Sequence, residues 1–392
     1  MPRTSKGHIV LLTGATGSIG RHILYHLAVS PSVSHIYALV RAPTHAGAVS
    51  RLPQALRAAR LSLPPEAWTK ITAIPSSLSD AQLSLPGDLY TTLHQQVTTI
   101  IHGAWIVNFN LPLSAFESHI AATASLLNFA ITSPTSPKPT FNFISSVASV
   151  FRAPKGPILE KRHPISWAGR IGYGYSKWVA EALCDAASHS TNGQVDVRVL
   201  RTGQICGDRR DGVWNFKEVF PMTVQSALSV GALPLTREIN YWLPMDVAGD
   251  GIVQLALRER EKTAEARVWH VSNAKGMSWD EEFLPALRRH GLQFEAVERE
   301  RWCEILAAYP DPVRNPTWRL LEFYRGRYEK GGVDEENFWL DTRESGRCCS
   351  ALRDGVEVDE ELIGKFLHYW MSLPRWRSLI DESGQEIVRS HL

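Results

Sequence analysis

The sequence predicts an α/β fold, in which a doubly wound parallel sheet of the Rossmann type is joined to a smaller, mostly helical region. Short apolar runs alternate with segments of helical length through the first half of the chain, a pattern typical of strand–helix–strand units. A glycine-rich stretch follows the first apolar run and provides the sharp turn that such a sheet needs before its first helix. Beyond about residue 205 the alternation stops and the chain becomes charged and rich in tryptophan.

Seven apolar runs predict the strands of the sheet. They are rich in Val, Ile, Leu, Phe and Thr and carry few charges, as expected for strands covered on both faces. The runs are 8–14, 35–41, 71–75, 98–104, 140–146, 195–201 and 267–273. We expect a first domain over residues 1–210 and a second region over 211–392, of which about 241–273 packs back on the sheet.

Composition excludes several classes of function. The chain of 392 residues has a formal net charge of +2, which gives no reason to expect a nucleic-acid or membrane surface as partner. It has no apolar run of the ~18 residues that a membrane span needs. The apolar run near the start breaks at Thr13 and Gly14, so we expect no targeting signal. The five cysteines form no C-x-x-C pair, which favours a reducing, cytoplasmic setting without a disulfide framework or metal site.

The glycine-rich turn reads TGATGSIG over residues 13–20. Its G-x-x-G-x-x-G spacing lies between a strand and a helix, where glycines permit a tight turn and the helix N-terminus faces a pyrophosphate. We therefore predict a dinucleotide site there. Its expected residues are Thr13, Gly14, Thr16, Gly17, Ser18, Ile19 and Gly20.

The end of the second strand bears on the choice between NAD and NADP. An acidic residue there hydrogen-bonds the ribose 2′-hydroxyl, whereas an arginine accommodates a 2′-phosphate. Arg41 ends this strand with no Asp or Glu beside it, and Arg51 follows on the next helix. A guanidinium donates in pairs to phosphate oxygens, so the sequence favours NADP over NAD.

A candidate catalytic set follows the fifth strand. Tyr173 and Lys177 are four residues apart and share one face of a helix, whereas Tyr175 points elsewhere. A tyrosine is a poor acid–base group near neutrality until a nearby ammonium stabilises its phenolate. The strand end supplies a hydroxyl that steers a substrate oxygen. Ser146 is the first candidate for it, followed by Ser145 and Ser149.

These motifs resemble the short-chain dehydrogenase/reductases, which share TGxxGxxG and YxxxK, and the length resembles that of their extended branch. More specifically, the chain resembles the thioester reductase domains that terminate non-ribosomal peptide synthetases, fungal polyketide synthases and carboxylic acid reductases. The resemblance covers nearly the whole chain. It rests mainly on IHGAWIVNFNLPLSAFE (101–117), GYGYSKWVAEAL (172–183), LRTGQICGD (200–208) and WLPMD (242–246).

The resemblance implies NADPH-dependent reduction of an acyl thioester on the phosphopantetheine arm of a carrier protein, which releases an aldehyde and, after a second hydride, an alcohol. It implies Ser146, Tyr173 and Lys177 as the catalytic set and residues 13–20 with Arg41 and Arg51 as the NADPH site. We expect a monomer. Further implied cofactor contacts are Ser77, Leu78, Gly103, Ala104, Gly203 and Gln204, beside Tyr173 and Lys177.

Three departures from the family pattern stand near the cofactor. The family usually reads Gly-Asp-Leu where this chain has Ser76, Ser77 and Leu78. Gly103 stands where an asparagine is common, and Thr202 replaces a frequent proline.

Other functions share these motifs. One is a redox-inactive relative that releases its product by Dieckmann-type cyclisation, and another is a binding protein that senses NADP. A third is an extended-branch reductase or epimerase that acts on a free small molecule. The intact Tyr173 and Lys177 pair argues against the first two, and the family-specific segments argue against the third.

Overall fold

The computed structural model describes residues 7–261, 263–328 and 338–383. These residues form two compact units. The sheet unit consists of the chain up to Gln204 together with Met245–Ala274 and Trp339–Gly355. The helical unit consists of the described residues within Ile205–Pro244, Lys275–Phe338 and Val356–Leu392.

The unit boundaries differ from the domain limits that the sequence suggested at residue 210. Trp339–Gly355 was expected in the second region, yet it belongs to the sheet unit. Hydrogen bonds attach it there, since the Asp341 amide donates to the Ile158 carbonyl and the Ser345 amide donates to the Glu160 carboxylate. No periodicity in the sequence marks such long-range attachments.

The strands of both units are short. In chain order they are β1 (His8–Thr13), β2 (Val33–Val40), β3 (Ile71–Pro75), β4 (Thr99–His102), β5 (Thr140–Ser146), β6 (Gly156–Ile158), β7 (Val197–Thr202), β8 (Ile205–Cys206), β9 (Ala232–Leu235), β10 (Ile239–Asn240), β11 (Leu243–Pro244), β12 (Arg267–Val271), β13 (Met277–Ser278), β14 (Glu295–Glu298) and β15 (Phe338–Leu340).

Helices separate most of the strands. They are α1 (Ser18–Val29), α2 (His45–Ala58), α3 (Pro65–Trp68), α4 (Gly87–Gln96), α5 (Glu117–Thr132), α6 (Gly172–Ser190), α7 (Val219–Ser229), α8 (Met245–Ala256), α9 (Leu284–Arg289), α10 (Arg299–Ala308), α11 (Leu321–Tyr328), α12 (Arg343–Cys348), α13 (Glu360–Ser372) and α14 (Pro374–Ser383). Short 3-10 turns lie at Ala81–Ser84, Leu113–Phe116, Val147–Val150, Ile165–Trp167, Pro316–Leu320 and Ser350–Leu352, and a π turn lies at Trp279–Phe283.

The sheet unit contains a parallel sheet of seven strands, in the order β12-β7-β5-β4-β1-β2-β3. All of its adjacent pairs are parallel, so the predicted doubly wound fold is confirmed. The strand order reverses between β1 and β4, and ligands of such sheets bind at the carboxyl ends of the strands beside that point. At this edge Thr13 pairs with His102, and on the other side of β5 Ser146 pairs with Thr202.

Helices cover the sheet because its strands are largely apolar. Helix α1 packs against α8, and α5 packs against α6. The strand residues between them are almost fully buried, as in Leu11, Ile100, Phe141 and Val199. Burial of this kind holds the carboxyl ends of the strands at one rigid edge.

The helical unit has an aromatic core. Its small strands pair two by two, as β8 with β11, β9 with β14 and β10 with β13. Helix α13 packs against α9 and α14. Six tryptophans of this unit are almost fully buried, namely Trp214, Trp242, Trp279, Trp302, Trp370 and Trp376.

The described residues contain neither a membrane-spanning helix nor a metal site. No helix among them has both the length and the apolarity to cross a bilayer. No group of His, Cys, Asp and Glu side chains in the described ranges has the arrangement of a metal site. All five cysteines are free thiols.

Candidate active site

The glycine turn lies between β1 and α1 and leaves almost no room for side chains. Gly14 has φ +82°, and a Cβ on it would lie 2.6 Å from the Gly103 carbonyl carbon. A Cβ on Gly20 would lie 1.9 Å from the Gly14 carbonyl oxygen. Gly17 is the N-cap of α1 and provides no side-chain cap, and the first turn of α1 has no acidic residue. The helix therefore presents uncompensated N–H groups, which suit an anion.

Thr13 ties this turn to the loop after β4. Its Oγ1 accepts hydrogen bonds from the amides of Gly103 and Ala104, both at 3.2 Å. Because both amides donate to Oγ1, the Thr13 hydroxyl proton points to His102 Nδ1 at 2.8 Å. Burial lowers the pKa of His102 to about 3, so its ring is neutral and its Nε2 donates to Thr123 Oγ1 at 3.2 Å. This chain of hydrogen bonds fixes two predicted segments of the cofactor site side by side.

The two arginines meet at the end of β2. Arg41 is exposed there, and Arg51 on α2 is half-buried. The Arg51 guanidinium donates to the Arg41 carbonyl, which places the Arg51 charge at the strand end where a ribose phosphate is read. Beyond β3, the half-buried Ser77 Oγ lies 3.1 Å from Ser79 Oγ, and Leu78 packs at the edge of the core.

Gly203 and Gln204 follow β7 at the same edge of the sheet. The Gly203 amide donates to the Val271 carbonyl at 2.9 Å. A Cβ at Gly203 would lie 2.4 Å from Ser272 Oγ, so the close approach of these two segments requires a glycine here. Gln204 is half-buried.

Helix α6 brings Tyr173 and Lys177 to the end of β5, beside Ser146. Tyr173 is 6% exposed and Lys177 is 3% exposed. The Lys177 Nζ donates to the Ile144 carbonyl at 2.8 Å and lies 5.8 Å from the Tyr173 ring centroid. Burial raises the pKa of Tyr173 to about 12, although a hydrogen bond with the Ser146 side chain lowers it. Tyr175 is only half-buried and lies on another face of the helix.

The other candidate serines have structural partners. Ser145 Oγ donates to Glu181 Oε1 at 2.5 Å, and Ser149 Oγ donates to the same atom at 2.7 Å. Glu181 also forms a buried ion pair with Arg201 at 2.7 Å. Because both hydroxyls are held in this network, Ser146 is the serine of the strand end that stands beside Tyr173.

Sequence reasoning did not single out two residues near Lys177. Trp105 lies in the loop after β4, and its ring centroid is 4.3 Å from Lys177 Nζ. Glu181 raises the pKa of Lys177, but burial has the larger effect and brings it down to about 7. Glu181 stands four residues after Lys177, so helical spacing alone would have indicated it. No spacing or motif in the sequence links Trp105 to Lys177, apart from its place within residues 101–117.

The residues at this edge fit a nicotinamide dinucleotide. Gly14 and Gly20 permit the close backbone approach that a pyrophosphate needs. The N-terminus of α1 offers N–H groups with no acidic side chain in its first turn. The fold and the residues at this edge define the class of protein as one with a Rossmann-type NAD(P)-binding domain.

The family follows from comparison with known proteins. A family model described as "Male sterility protein" and named for NAD binding matches residues 12–252, more than half of the chain. The chain belongs to this family.

Similar proteins are large fungal biosynthetic enzymes. A non-ribosomal peptide synthetase of Acremonium egyptiacum is 31% identical over 95% of this chain and 34% of its own length. A 3-methylorcinaldehyde synthase of Sarocladium schorii is 29% identical over 94% of this chain and 14% of its own length. An adenylate-forming reductase of Stachybotrys bisbyi is 27% identical over 95% and 35%. The chain therefore spans about a third or less of these relatives.

Solved structures with the same fold include reductase domains of biosynthetic enzymes. The terminal R domain of the myxalamid biosynthetic pathway superposes with a TM-score of 0.81 at 24% identity, over 94% of this chain and 92% of that domain. The reductase domain of a non-ribosomal peptide synthetase from Mycobacterium tuberculosis gives a TM-score of 0.72 at 22% identity, over 97% and 93%. At this identity the similarity establishes the fold.

Proposed function

We propose that this chain catalyses the NADPH-dependent reductive release of an acyl group held as a thioester on the phosphopantetheine arm of a carrier protein. The observation that carries the proposal is the grouping of Ser146, Tyr173 and Lys177 at the strand edge that also holds the glycine turn. The relatives support the substrate class, because one is named a peptide synthetase and another an aldehyde synthase.

The proposed roles follow from the chemistry of each group. Bound NADPH supplies the hydride that reduces the thioester carbonyl carbon. The Ser146 hydroxyl donates a hydrogen bond to the carbonyl oxygen, and Tyr173 gives this oxygen its proton. Burial raises the pKa of Tyr173 to about 12, so the phenol carries its proton at neutral pH, and giving up that proton depends on stabilisation of the phenolate. The Lys177 ammonium stabilises the phenolate that remains. The resulting hemithioacetal collapses, its C–S bond breaks, and the arm leaves as a thiol beside a free aldehyde.

The choice of NADPH over NADH rests on the arginines at the end of β2. The Arg51 guanidinium is bonded to the Arg41 carbonyl at the strand end, where a 2′-phosphate adds charge that NADH lacks. The proposed contacts to the rest of the cofactor are those of residues 13–20, Ser77, Leu78, Gly103, Ala104, Gly203 and Gln204. The five free thiols support a reducing, cytoplasmic setting.

The test is NADPH oxidation by the purified chain against a panel of pantetheine thioesters, each compared with its free acid. We expect turnover of thioesters and not of acids, with aldehyde and alcohol quantified separately to distinguish one reduction from two. Tyr173→Phe should lower turnover by about 10³-fold, since it removes the proton donor. Tyr175→Phe is the matched control on the same helix and should keep full activity.

The same panel distinguishes the competing functions. Product release without NADPH would identify Dieckmann-type cyclisation. NADPH oxidation with a free aldehyde or ketone but with no thioester would identify a small-molecule reductase. NADPH binding with no turnover of any compound would favour a sensing protein. Each of these results contradicts reductive release.

A further inference from the structure

The surroundings of the Lys177 ammonium are mostly aromatic. Its Nζ donates to the Ile144 carbonyl at 2.8 Å, which uses one of its three N–H groups. The same atom lies 4.3 Å from the Trp105 ring centroid and 4.8 Å from that of Phe143. An ammonium within about 6 Å of an aromatic face is attracted by the ring quadrupole. Trp105 is the nearer ring, and an indole gives the strongest attraction of this kind.

Trp105 is itself held in a fixed orientation. Its Nε1 donates to Ser176 Oγ at 3.3 Å, and Ser176 Oγ donates to the Tyr173 carbonyl at 2.8 Å. The ring also packs edge-on against Phe143 at 5.5 Å and tilted against His119 at 5.3 Å. The indole is therefore tied to the catalytic helix between the two reactive side chains, Tyr173 and Lys177.

Trp105 also lies next to the proposed cofactor site in the chain. It directly follows Gly103 and Ala104, whose amides are bonded to Thr13 in the glycine turn. The loop that borders the proposed cofactor site thus also supplies the ring that faces Lys177.

We propose that Trp105 is a positioning residue, whose indole face holds the charged Lys177 amine beside Tyr173 without touching the substrate. The inference rests on the proposed reductive function, in which Lys177 acts on Tyr173. Without the ring the amine keeps its hydrogen bond to Ile144 but loses the nearest aromatic contact that favours its charged form.

Other ionisable groups face Lys177 and bear on its charge. On its own helix these are Tyr173, Glu181 and Cys184, and from β4 and α5 they are His102 and His119. Burial holds both histidines neutral by lowering their pKa values, and it raises the pKa of the Cys184 thiol. Glu181 is ionised and already paired with Arg201. The Trp105 indole is therefore an uncharged group that favours the ammonium form of Lys177, whereas burial disfavours that form.

The first test measures the titration of Lys177 in the ligand-free protein. Lysine labelled with ¹³C at Cε is observed by NMR, and Lys177→Arg assigns the signal. Site-specific replacement of Trp105 by tryptophans of increasing fluorination weakens the ring quadrupole and leaves the shape nearly unchanged. We expect the pKa of Lys177 to fall stepwise, by about one pH unit at the highest fluorination. The same replacements at Trp178, the next residue on α6, should leave it unchanged. An unchanged pKa in the Trp105 series, or an equal fall in the Trp178 series, would overturn the proposal.

The second test uses turnover. Trp105→Leu should lower kcat about tenfold and move the alkaline limb of its pH profile to lower pH, because the amine loses its proton earlier. Trp105→Phe keeps an aromatic face and should recover most of kcat. Equal losses in both variants with an unshifted pH profile would mean that Trp105 only fills space.

The first of these tests has an outcome that is independent of the proposed function. A wild-type protein that reduces no thioester contradicts reductive release. The fluorination series needs neither substrate nor cofactor, so it decides the contact between Trp105 and Lys177 in either case.

Discussion

The two units of this protein bury different kinds of side chain. The sheet unit buries ions, among them Lys177, Glu181 and Arg201, each at most 3% exposed. The helical unit buries indole rings, as in the edge-to-face pair of Trp214 and Trp242 with ring centroids 5.3 Å apart.

The difference separates two ways of holding a structure together. A buried ion costs free energy unless it is paired and hydrogen-bonded. In the sheet unit Glu181 is paired with Arg201 beside the candidate catalytic side chains, and a separate buried pair joins Arg198 to Asp196. A buried indole stabilises by apolar area and ring contacts and needs at most one hydrogen bond. We conclude that pairing compensates the buried ions of the sheet unit, whereas apolar area and ring contacts stabilise the interior of the helical unit.

A substitution in the aromatic interior of the helical unit should cause the largest loss of stability. Trp302 is fully buried, packs edge-on against Tyr324 at 4.9 Å and donates to Ser226 Oγ at 3.1 Å. Trp302→Ala should lower the free energy of unfolding by about 4 kcal/mol, through lost contacts and the cavity left behind. Denaturant titration followed by circular dichroism measures the change. The control is Trp339→Ala, because Trp339 is 43% exposed, and a loss of similar size there would contradict this account.

A substitution in the buried ion pair of the sheet unit should cause a somewhat smaller loss of stability. Glu181→Gln leaves the fully buried Arg201 guanidinium without its anion and should cost about 3 kcal/mol of stability. The matched control is Asp185→Asn, one turn further along α6, where the carboxylate pairs with the partly exposed Arg162 at 2.8 Å. That change should cost about 1 kcal/mol or less. Equal effects of the two changes would remove the distinction between the buried network and the surface pairs.

The buried Lys177 should make the stability of the sheet unit depend on pH. Burial lowers its pKa from 10.5 to about 7, so between these values the folded protein binds fewer protons there than the unfolded chain. The free energy of unfolding should therefore rise from pH 7 towards pH 10, by at most about 1.4 kcal/mol per pH unit from this group. Above pH 10 the raised pKa of Tyr173 acts in the opposite direction. Denaturant titrations of the wild type and of Lys177→Met measure the free energy of unfolding at each pH. Equal pH dependence in the two proteins would contradict this prediction.

The smallest expected effect concerns cofactor choice. Arg51→Gln removes one guanidinium from the end of β2 and should weaken NADPH binding about tenfold, the value of one charged hydrogen bond. Binding of NADH should not change. Arg57→Gln is the control, since Arg57 is an exposed arginine further along α2. Fluorescence titration of each variant with NADPH and with NADH measures the two affinities. An equal loss of affinity for NADH would assign Arg51 to folding rather than to phosphate recognition.

The sequence predicted the sheet well because its strands are continuous apolar runs. β3 and β5 have the bounds that the runs at 71–75 and 140–146 suggested. The positive φ of Gly14 agrees with the tight turn that the glycine spacing indicates. Such features are local, so a short stretch of sequence contains the physical cause.

The remaining features of the site depend on contacts between distant residues. Ser145 and Ser146 are neighbours with the same chemistry, and the structure distinguishes them because Ser145 bonds to Glu181, 36 residues away. Trp105 is bonded to Ser176 across 71 residues, so its place beside Lys177 could not be read from spacing. The return of Trp339–Gly355 to the sheet unit is unpredictable for the same reason.

The way the chain is shared between the units has a consequence for its synthesis. The chain passes from one unit to the other after Gln204, Pro244, Ala274, Phe338 and Gly355. β12 and α8 are made long after β7, so a nascent chain that has reached residue 210 lacks a strand of the sheet and a helix that covers it. The ribosome must therefore deliver nearly the whole chain before either unit closes, and fragments cut at the end of the nucleotide motifs should be captured by chaperones rather than fold.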